Sequence, residues 1–335
     1  MEFALTEEQQ ELAATVRSLL AKRGDARVER YDEALWQTLC EQIGVAALGI
    51  PEEYGGAGFS LFEALVALEE VGRSLVPSPL LSSLVTSEAL LAGADEDAKQ
   101  RLLPRIAAGE VAAFVDGEGP VLDGDLATVL VVATDDGLFE VDTAETTWVP
   151  TMDQTLRLAT VTADLGGARR IGDGPAARDR ARLVGAAGCA ALATGGSARA
   201  LEMTVAYSKE RVQFGRPIGS FQALKHRMAD MLVLAEMSRS ASWAASYAVA
   251  TGSDDAGQHA GQHAGQDAGQ DAGRLAHIAK SYCCEAFSHL AGETVQMHGG
   301  IAITWEHDAH LVFKRAHALW QLFGTPAAHR ARVRL

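Results

Sequence analysis

The sequence predicts a mainly α-helical chain with a small β-domain at its centre, in three consecutive blocks. An N-terminal helical domain is expected over 1–112, a shortened β-domain over 113–175 and a C-terminal four-helix bundle over 176–335. Three observations predict this. Apolar residues recur at helical spacing through the first hundred residues and again from about 178. Between them, short β-branched runs alternate with Asp-Gly pairs, as in strands joined by hairpins. Finally, 335 residues that are 48% hydrophobic and 22% charged can bury more than one core without disulfide or metal staples.

Thr6-Glu7-Glu8-Gln9 has the form of a capping box, and Leu12, Val16, Leu19 and Leu20 follow on one face, so a helix is expected over about 6–23. Leu35, Leu39 and Ile43, then Leu61, Leu65, Leu68 and Val71, repeat the pattern around the turn-rich Pro51-Glu52-Glu53-Tyr54-Gly55-Gly56-Ala57-Gly58. Further helices are expected near 81–92 and 95–108, the second capped by Asp95. Val121, Val129 to Val132, Val141, Trp148, Val149 and Val161 mark strands, with turns at Asp123-Gly124 and Asp136-Gly137. Four long helices are expected near 178–209, 220–251, 273–298 and 306–322, with Ser220 and Thr304 as caps. Residues 256–273 repeat Ala-Gly-Gln-His or Ala-Gly-Gln-Asp. A helix there would align His259, His263, Asp267 and Asp271 as a metal line, but a glycine in every repeat favours a loop, and no metal is expected.

Lys and Arg number 29 against 44 Asp and Glu, a net charge of −15 that repels phosphate backbones and anionic membrane surfaces, so neither nucleic acid nor membrane is an expected partner. Cys40, Cys189, Cys283 and Cys284 have no spacing for a disulfide framework. The start of the chain lacks the features of a secretory signal, and no apolar run is long enough to span a bilayer, so a cytoplasmic protein is expected.

Two clusters carry chemistry. Arg211-Val212-Gln213-Phe214-Gly215-Arg216-Pro217-Ile218-Gly219-Ser220-Phe221-Gln222 sets a guanidinium, aromatic rings and two amides at a helix–helix corner, which suits a pyrophosphate and a flat heterocycle. Gln296-Met297-His298-Gly299-Gly300 ends another helix with two glycines, which allow a flat ligand or a second chain to approach closely. Each alone could be a structured corner.

Together, in this order behind an all-helical block, they resemble the acyl-CoA dehydrogenase family. The opening Phe3-Ala4-Leu5-Thr6-Glu7-Glu8-Gln9 and the Gly44 to Gly58 stretch share the likeness, which covers nearly the whole chain. The resemblance implies FAD as cofactor, held largely across a subunit interface, with contacts from Arg211, Gln213, Phe214, Phe221, Gln222, Gln296, Met297, His298, Gly299 and Gly300, and with Thr325 beside the flavin or thioester. It also implies an acyl-CoA substrate, α,β-dehydrogenation and an electron-transfer protein downstream.

The family's reaction needs a carboxylate to take the α-proton. At the commoner position the sequence reads Gln321-Leu322-Phe323-Gly324-Thr325, so Phe323 stands there, and no Asp or Glu follows Asp308. At the alternative position stands Gly185 or Ala181; the nearby acids Asp179 and Glu202 are expected on the solvated face of their helix. The β-domain lacks the family's Leu-Thr-Glu-Pro-like segment, and Trp148 is either a substitute flavin cover or a strand-packing residue. Arg157 is expected to be structural. These departures resemble the base-lacking chain of bacterial heteromeric family members, which act in steroid degradation, and imply a heterotetramer with a base-bearing subunit. Two alternatives stand beside it: a homomeric enzyme using an unusual base such as Glu306, and a non-catalytic binding protein on the same scaffold.

Overall fold

A computed structural model describes residues 4–117, 119–258 and 264–333, with the side chains of 253–270 outside that description. Among the described residues the backbone divides into two compact units, one of Ala4–Leu68 with Val76–Gly188, the other of Glu69–Leu75 with the chain from Cys189 onward.

The first unit holds the N-terminal helices and both larger sheets. Helix α1 (Glu7–Arg23) starts at the expected capping box, the Thr6 hydroxyl accepting from Gln9 N–H and the Gln9 amide oxygen accepting from Thr6 N–H. It buries Ala13, Val16 and Leu20. Helix α2 (Glu33–Gln42) is capped by Asp32, and α5 (Glu96–Ala107) by Asp95, each carboxylate accepting a backbone N–H three residues on. Helices α3 (Leu61–Ser74) and α4 (Leu80–Gly93) lie between them in the chain. Eleven consecutive residues of α4 from Leu80 are buried, so it has no solvent face, unlike the amphipathic α5.

Strands β1 (Ala112–Asp116), β3 (Val129–Thr134), β4 (Gly137–Val141) and β7 (Arg169–Gly172) form one sheet in the order β1-β3-β4-β7. Strands β2 (Val121–Leu122), β6 (Leu158–Ala163) and β5 (Ala144–Val149) form another. Val115, Val121, Leu130, Val132 and Val141 share a core. The turn before Gly137 joins β3 and β4 as expected, but Asp123-Gly124 joins no hairpin, because β2 pairs with β6 while β3 runs parallel to β1. Asp123 explains this: its carboxylate accepts from Ser82 Oγ at 2.8 Å and its N–H donates to Arg157 O, which fixes the end of β2 against the β6 side.

The second unit is built on four helices, α6 (Gly174–Glu210, from Cys189 onward), α7 (Gln222–Gln258), α8 (Ala264–His298) and α9 (Ala309–Gln321), with a short α10 (Pro326–Arg330) after them. Paired side chains give their directions. Thr204 and Thr294 share a hydroxyl bond at 3.0 Å and Tyr207 stacks on His298, so α6 and α8 run parallel. Ser208 meets Met228 while Thr194 reaches Ser238 O, so α7 runs against α6. Arg199 pairs with Asp308 while Cys189 meets Leu322 O, so α9 does the same. The result is an up-down-up-down bundle.

Three expectations are corrected. The stretch 256–273, read as a loop, is helical over 256–258 and 264–273, and residues 259–263 lie outside the described residues. Ala and Gln between the glycines are good helix formers, and long helices enter from both sides. Ser220 does not cap α7, lying in a 3₁₀ turn over Ile218–Ser220. Helix α9 starts at Ala309 rather than 306, and the Thr304 hydroxyl donates to Ile301 O, closing the 3₁₀ turn Gly299–Ile303. No helix among the described residues is long and apolar enough to cross a membrane.

Candidate functional site

The parallel course of α6 and α8 brings the two motif clusters to one end of the bundle, although some 85 residues separate them in sequence. Helix α6 ends at Glu210 and gives way to a hairpin of β8 (Val212–Gln213) and β9 (Arg216–Pro217). Its turn is Phe214-Gly215, with φ of 53° and 77°. Two successive positive φ values make the tight turn that matches strand twist, yet they ordinarily select Asn or Gly. Phe214 instead holds a strained backbone with its ring 92% exposed. Strain of that kind is kept where a site uses it.

Around the turn, Phe214 meets Phe221 edge-on at 6.1 Å, and the Arg216 guanidinium lies 4.1 Å over the Phe221 ring. Gln213 donates to Val212 O, and Gln222 meets the ring of His226 at 3.3 Å. The exposed Arg211 guanidinium has no partner among the described residues, while its backbone N–H donates to Tyr207 O. Five Lys or Arg and one carboxylate lie between residues 209 and 227, so this end is cationic within an acidic chain. That local reversal is readable in the sequence, and the motif reading overlooked it.

At the end of α8, Gly299 takes φ 66° and both Gly299 and Gly300 are exposed, with nothing within 4 Å of a Cβ placed on either. Gln296 is exposed beside them. Exposed amides, an unpaired guanidinium, an exposed ring and bare glycine backbone at one cationic end fit the donors that a pyrophosphate and a flat ring system accept.

Two of the expected contacts face inward. Met297 is 7% exposed and His298 3%. His298 Nδ1 lies 2.7 Å from Thr294 O, and its ring is covered by Tyr207 at 4.4 Å and by His307 at 4.4 Å. Burial holds its pKa below the ordinary histidine range, with His307 adding to the effect.

Thr325 stands apart. Its hydroxyl caps α10 by accepting from Ala328 N–H. The preceding Leu322 O accepts from Cys189 Sγ, so this segment packs near Cys189, separated along α6 from Tyr207 by about 27 Å of helical rise. Phe323, where the family's carboxylate would stand, has φ 55° and gives its carbonyl to His329 Nε2 at 2.9 Å. His329 Nδ1 meets His277 Nδ1 at 2.9 Å, and the fully buried Lys280 donates to Leu319 O at 2.8 Å. Carbonyls in the last turn of α9 and just beyond it are thus closed by side chains from α6, α8 and α10.

The remaining positions read as follows. Ala181 and Gly185 are buried in the first unit; Asp179 and Glu202 are exposed, and Glu202 pairs with Arg73. Glu306 is exposed, its N–H on Thr304 Oγ1. Trp148 does not pack inside its sheet: it is 48% exposed, with the guanidinium of Arg157 5.3 Å over its ring and that guanidinium clamped by Asp125. Sequence reasoning missed Glu69, a buried carboxylate whose pKa burial raises; it accepts from Trp243 Nε1 at 2.9 Å and faces Arg239. Among the described residues no cluster of His, Cys, Asp or Glu could hold a metal ion.

Residues 6–110 match the N-terminal domain of acyl-CoA dehydrogenases, and residues 172–334 match their C-terminal domain. Acyl-CoA dehydrogenase IpdE2 of Mycolicibacterium smegmatis is 41% identical over 337 residues, spanning 98% of each chain. Among solved structures, a variant of the Tcur3481-Tcur3483 steroid ACAD aligns with a TM-score of 0.81 and 28% identity over 98% of this chain and 96% of that one. The ChsE4-ChsE5 complex from Mycobacterium tuberculosis has the same fold, with a TM-score of 0.81 at 23% identity over 99% and 98%.

Proposed function

The chain belongs to the acyl-CoA dehydrogenase family, whose cofactor is FAD, and on that premise we propose that it is the base-lacking half of a two-chain enzyme. It lends its hairpin and its Gly299-Gly300 turn to the flavin of a base-bearing partner subunit. The observation that carries this reading is the placement of the motifs at opposite ends of the bundle. The donors on Arg211, Gln213, Gln222 and Gln296 gather at one end, while Phe323 and Thr325 sit at the other, with no carboxylate after Asp308. Glu210 and Glu306 at the donor-rich end are exposed, and a second chain would supply the base.

The reaction is α,β-dehydrogenation of a CoA thioester: a carboxylate of the partner subunit removes the α-proton, the β-hydrogen leaves as hydride, and the double bond forms. FAD accepts that hydride when bound, and an electron-transfer protein reoxidises the complex. This chain's residues bind and orient: Arg211 offers its guanidinium to the pyrophosphate, the glutamine amides donate around it, and the Phe214 ring covers the heterocycle from water. The 28%-identical relative is a steroid ACAD, which favours a polycyclic acyl group. Assembly runs through the four-helix unit to a heterotetramer in the cytoplasm.

Expressing the chain alone and with a base-bearing dehydrogenase encoded beside it tests the reading. Flavin absorbance at full occupancy and acyl-CoA turnover are expected only from the pair, together with a mass equal to two of each chain. Stoichiometric FAD and turnover from the lone chain would overturn it.

A further inference from the structure

Tyr207, His298 and His307 form one three-ring cluster. Tyr207 and His298 stack at 4.4 Å and 27°, His298 and His307 sit at 4.4 Å and 48°, and Tyr207 meets His307 edge-on at 6.2 Å. Each ring comes from a different element: the last turn of α6, the last residue of α8, and the segment leading into α9. Two of them are also pinned by the backbone. A carbonyl can only accept, so His298 Nδ1 carries a proton and donates to Thr294 O, whereas His307 Nδ1 accepts the first N–H of α9, from Ala309, at 3.2 Å. At 3% exposed, with two rings packed on it and Nδ1 held by its own helix, the His298 imidazole is buried rather than presented at the surface.

The cluster adjoins both halves of the donor-rich end. His298 immediately precedes the Gly299-Gly300 turn, and Tyr207 O receives the N–H of Arg211, the residue that enters the hairpin. One turn deeper the Thr204–Thr294 hydroxyl pair also ties these helices, itself completed by Ala200 O and Leu290 O. An exposed glycine pair with nothing packed on it has no rigidity of its own. We infer that the Tyr207–His298–His307 stack is a positioning device that locks the Gly299-Gly300 turn and the Arg211 hairpin into one spacing, so that both grip the same FAD. This rests on the functional reading above. His298 thereby acts on the cofactor through the turn it holds.

The test uses the co-expressed complex, stripped of flavin and titrated with FAD while flavin fluorescence and visible circular dichroism are read. His298→Phe keeps a ring in the stack and gives up only the imidazole nitrogens, whereas His298→Ala removes the ring. The expected result is FAD affinity within about threefold of wild type for His298→Phe and a loss of about tenfold or more for His298→Ala. Tyr207→Leu, on the opposite side of the stack, is expected to match His298→Ala, with a weakened visible dichroism; it decides the matter if His298→Ala fails to fold. Equal losses for His298→Phe and His298→Ala would overturn the inference, since the imidazole itself would then be the contact. Unchanged affinity in His298→Ala or Tyr207→Leu would overturn it as well. A wild-type complex that takes up no FAD overturns the functional reading and the inference with it, an outcome distinct from the other two.

Discussion

Phe323 shows how much a single position can carry: the resemblance puts it where a proton acceptor is expected, and its carbonyl becomes part of a buried polar cap. His329 donates from Nε2 to that carbonyl, which leaves Nδ1 to accept from His277 in the neutral tautomers. Burial pushes the His329 pKa down from 6.5 to about 4, against the lift from the Phe323 carbonyl and with smaller help from Lys280, His277 and Arg332. The folded pKa lies below the unfolded one, so the unfolded chain binds more protons between them. The stability contributed by neutral His329 is therefore complete above pH 6.5 and is lost as pH falls toward 4. Urea midpoints measured at pH 7 and at pH 5 should show a shallower acid loss in His329→Gln, whose amide can still donate to Phe323 O. An unchanged slope would remove His329 from the account. None of this was legible locally: His329 reads as one more residue in a basic tail, and Lys280 as one charge on a helix.

At the scale of elements, helix ends were readable because caps are local. Thr6, Asp32 and Asp95 bond N–H groups three residues away. The start of α9 was not readable in this way: Thr304 closes the preceding 3₁₀ turn on Ile301, and the helix begins three residues later than expected. Gly195 and Gly196 would ordinarily weaken α6, each by about 1 kcal/mol relative to Ala. Their reason lies in packing inside the second unit. A Cβ on Gly195 would stand 1.9 Å from Glu69 O on α3, and one on Gly196 would stand 2.3 Å from the Phe287 ring on α8. Gly195→Ala is expected to destabilise the chain by about 1–3 kcal/mol, since a backbone carbonyl cannot swing away. Gly292→Ala, in α8 with nothing within 4 Å, should instead stabilise by up to about 1 kcal/mol. Paired denaturation curves check both, and a stabilised Gly195→Ala would refute the close α3–α6 approach.

For the whole molecule, the question is whether surface features at one end of the bundle serve this fold or an assembly. Phe214 supplies a clean discriminator, since its ring is 92% exposed and touches only Phe221 among the aromatic side chains described. Phe214→Asp should leave the unfolding free energy of the chain unchanged or slightly raised, since Asp tolerates the positive φ better than Phe, while FAD content of the co-expressed complex, read from its visible absorbance, falls to a small fraction of wild type. A destabilised chain would make the ring structural; full flavin content would make it idle. The same scale decides which expected contacts work together. Arg211, Gln213, Phe214, Phe221, Gln222, Gln296, Gly299 and Gly300 share an end because α6 and α8 run parallel, and Thr325 is excluded because α9 runs the other way.

From its residues alone, the chain declared its helical blocks and central strands, the two motif clusters, and the lack of any carboxylate beyond Asp308. Periodicity, caps and residue identity act over a few positions, so a linear reading captures them. Tertiary structure alone decided that His298 turns inward and that Trp148 lies open under Arg157. The burial of His298 depends on rings and hydroxyls about 90 residues apart settling together, and no local window contains both partners of such a contact.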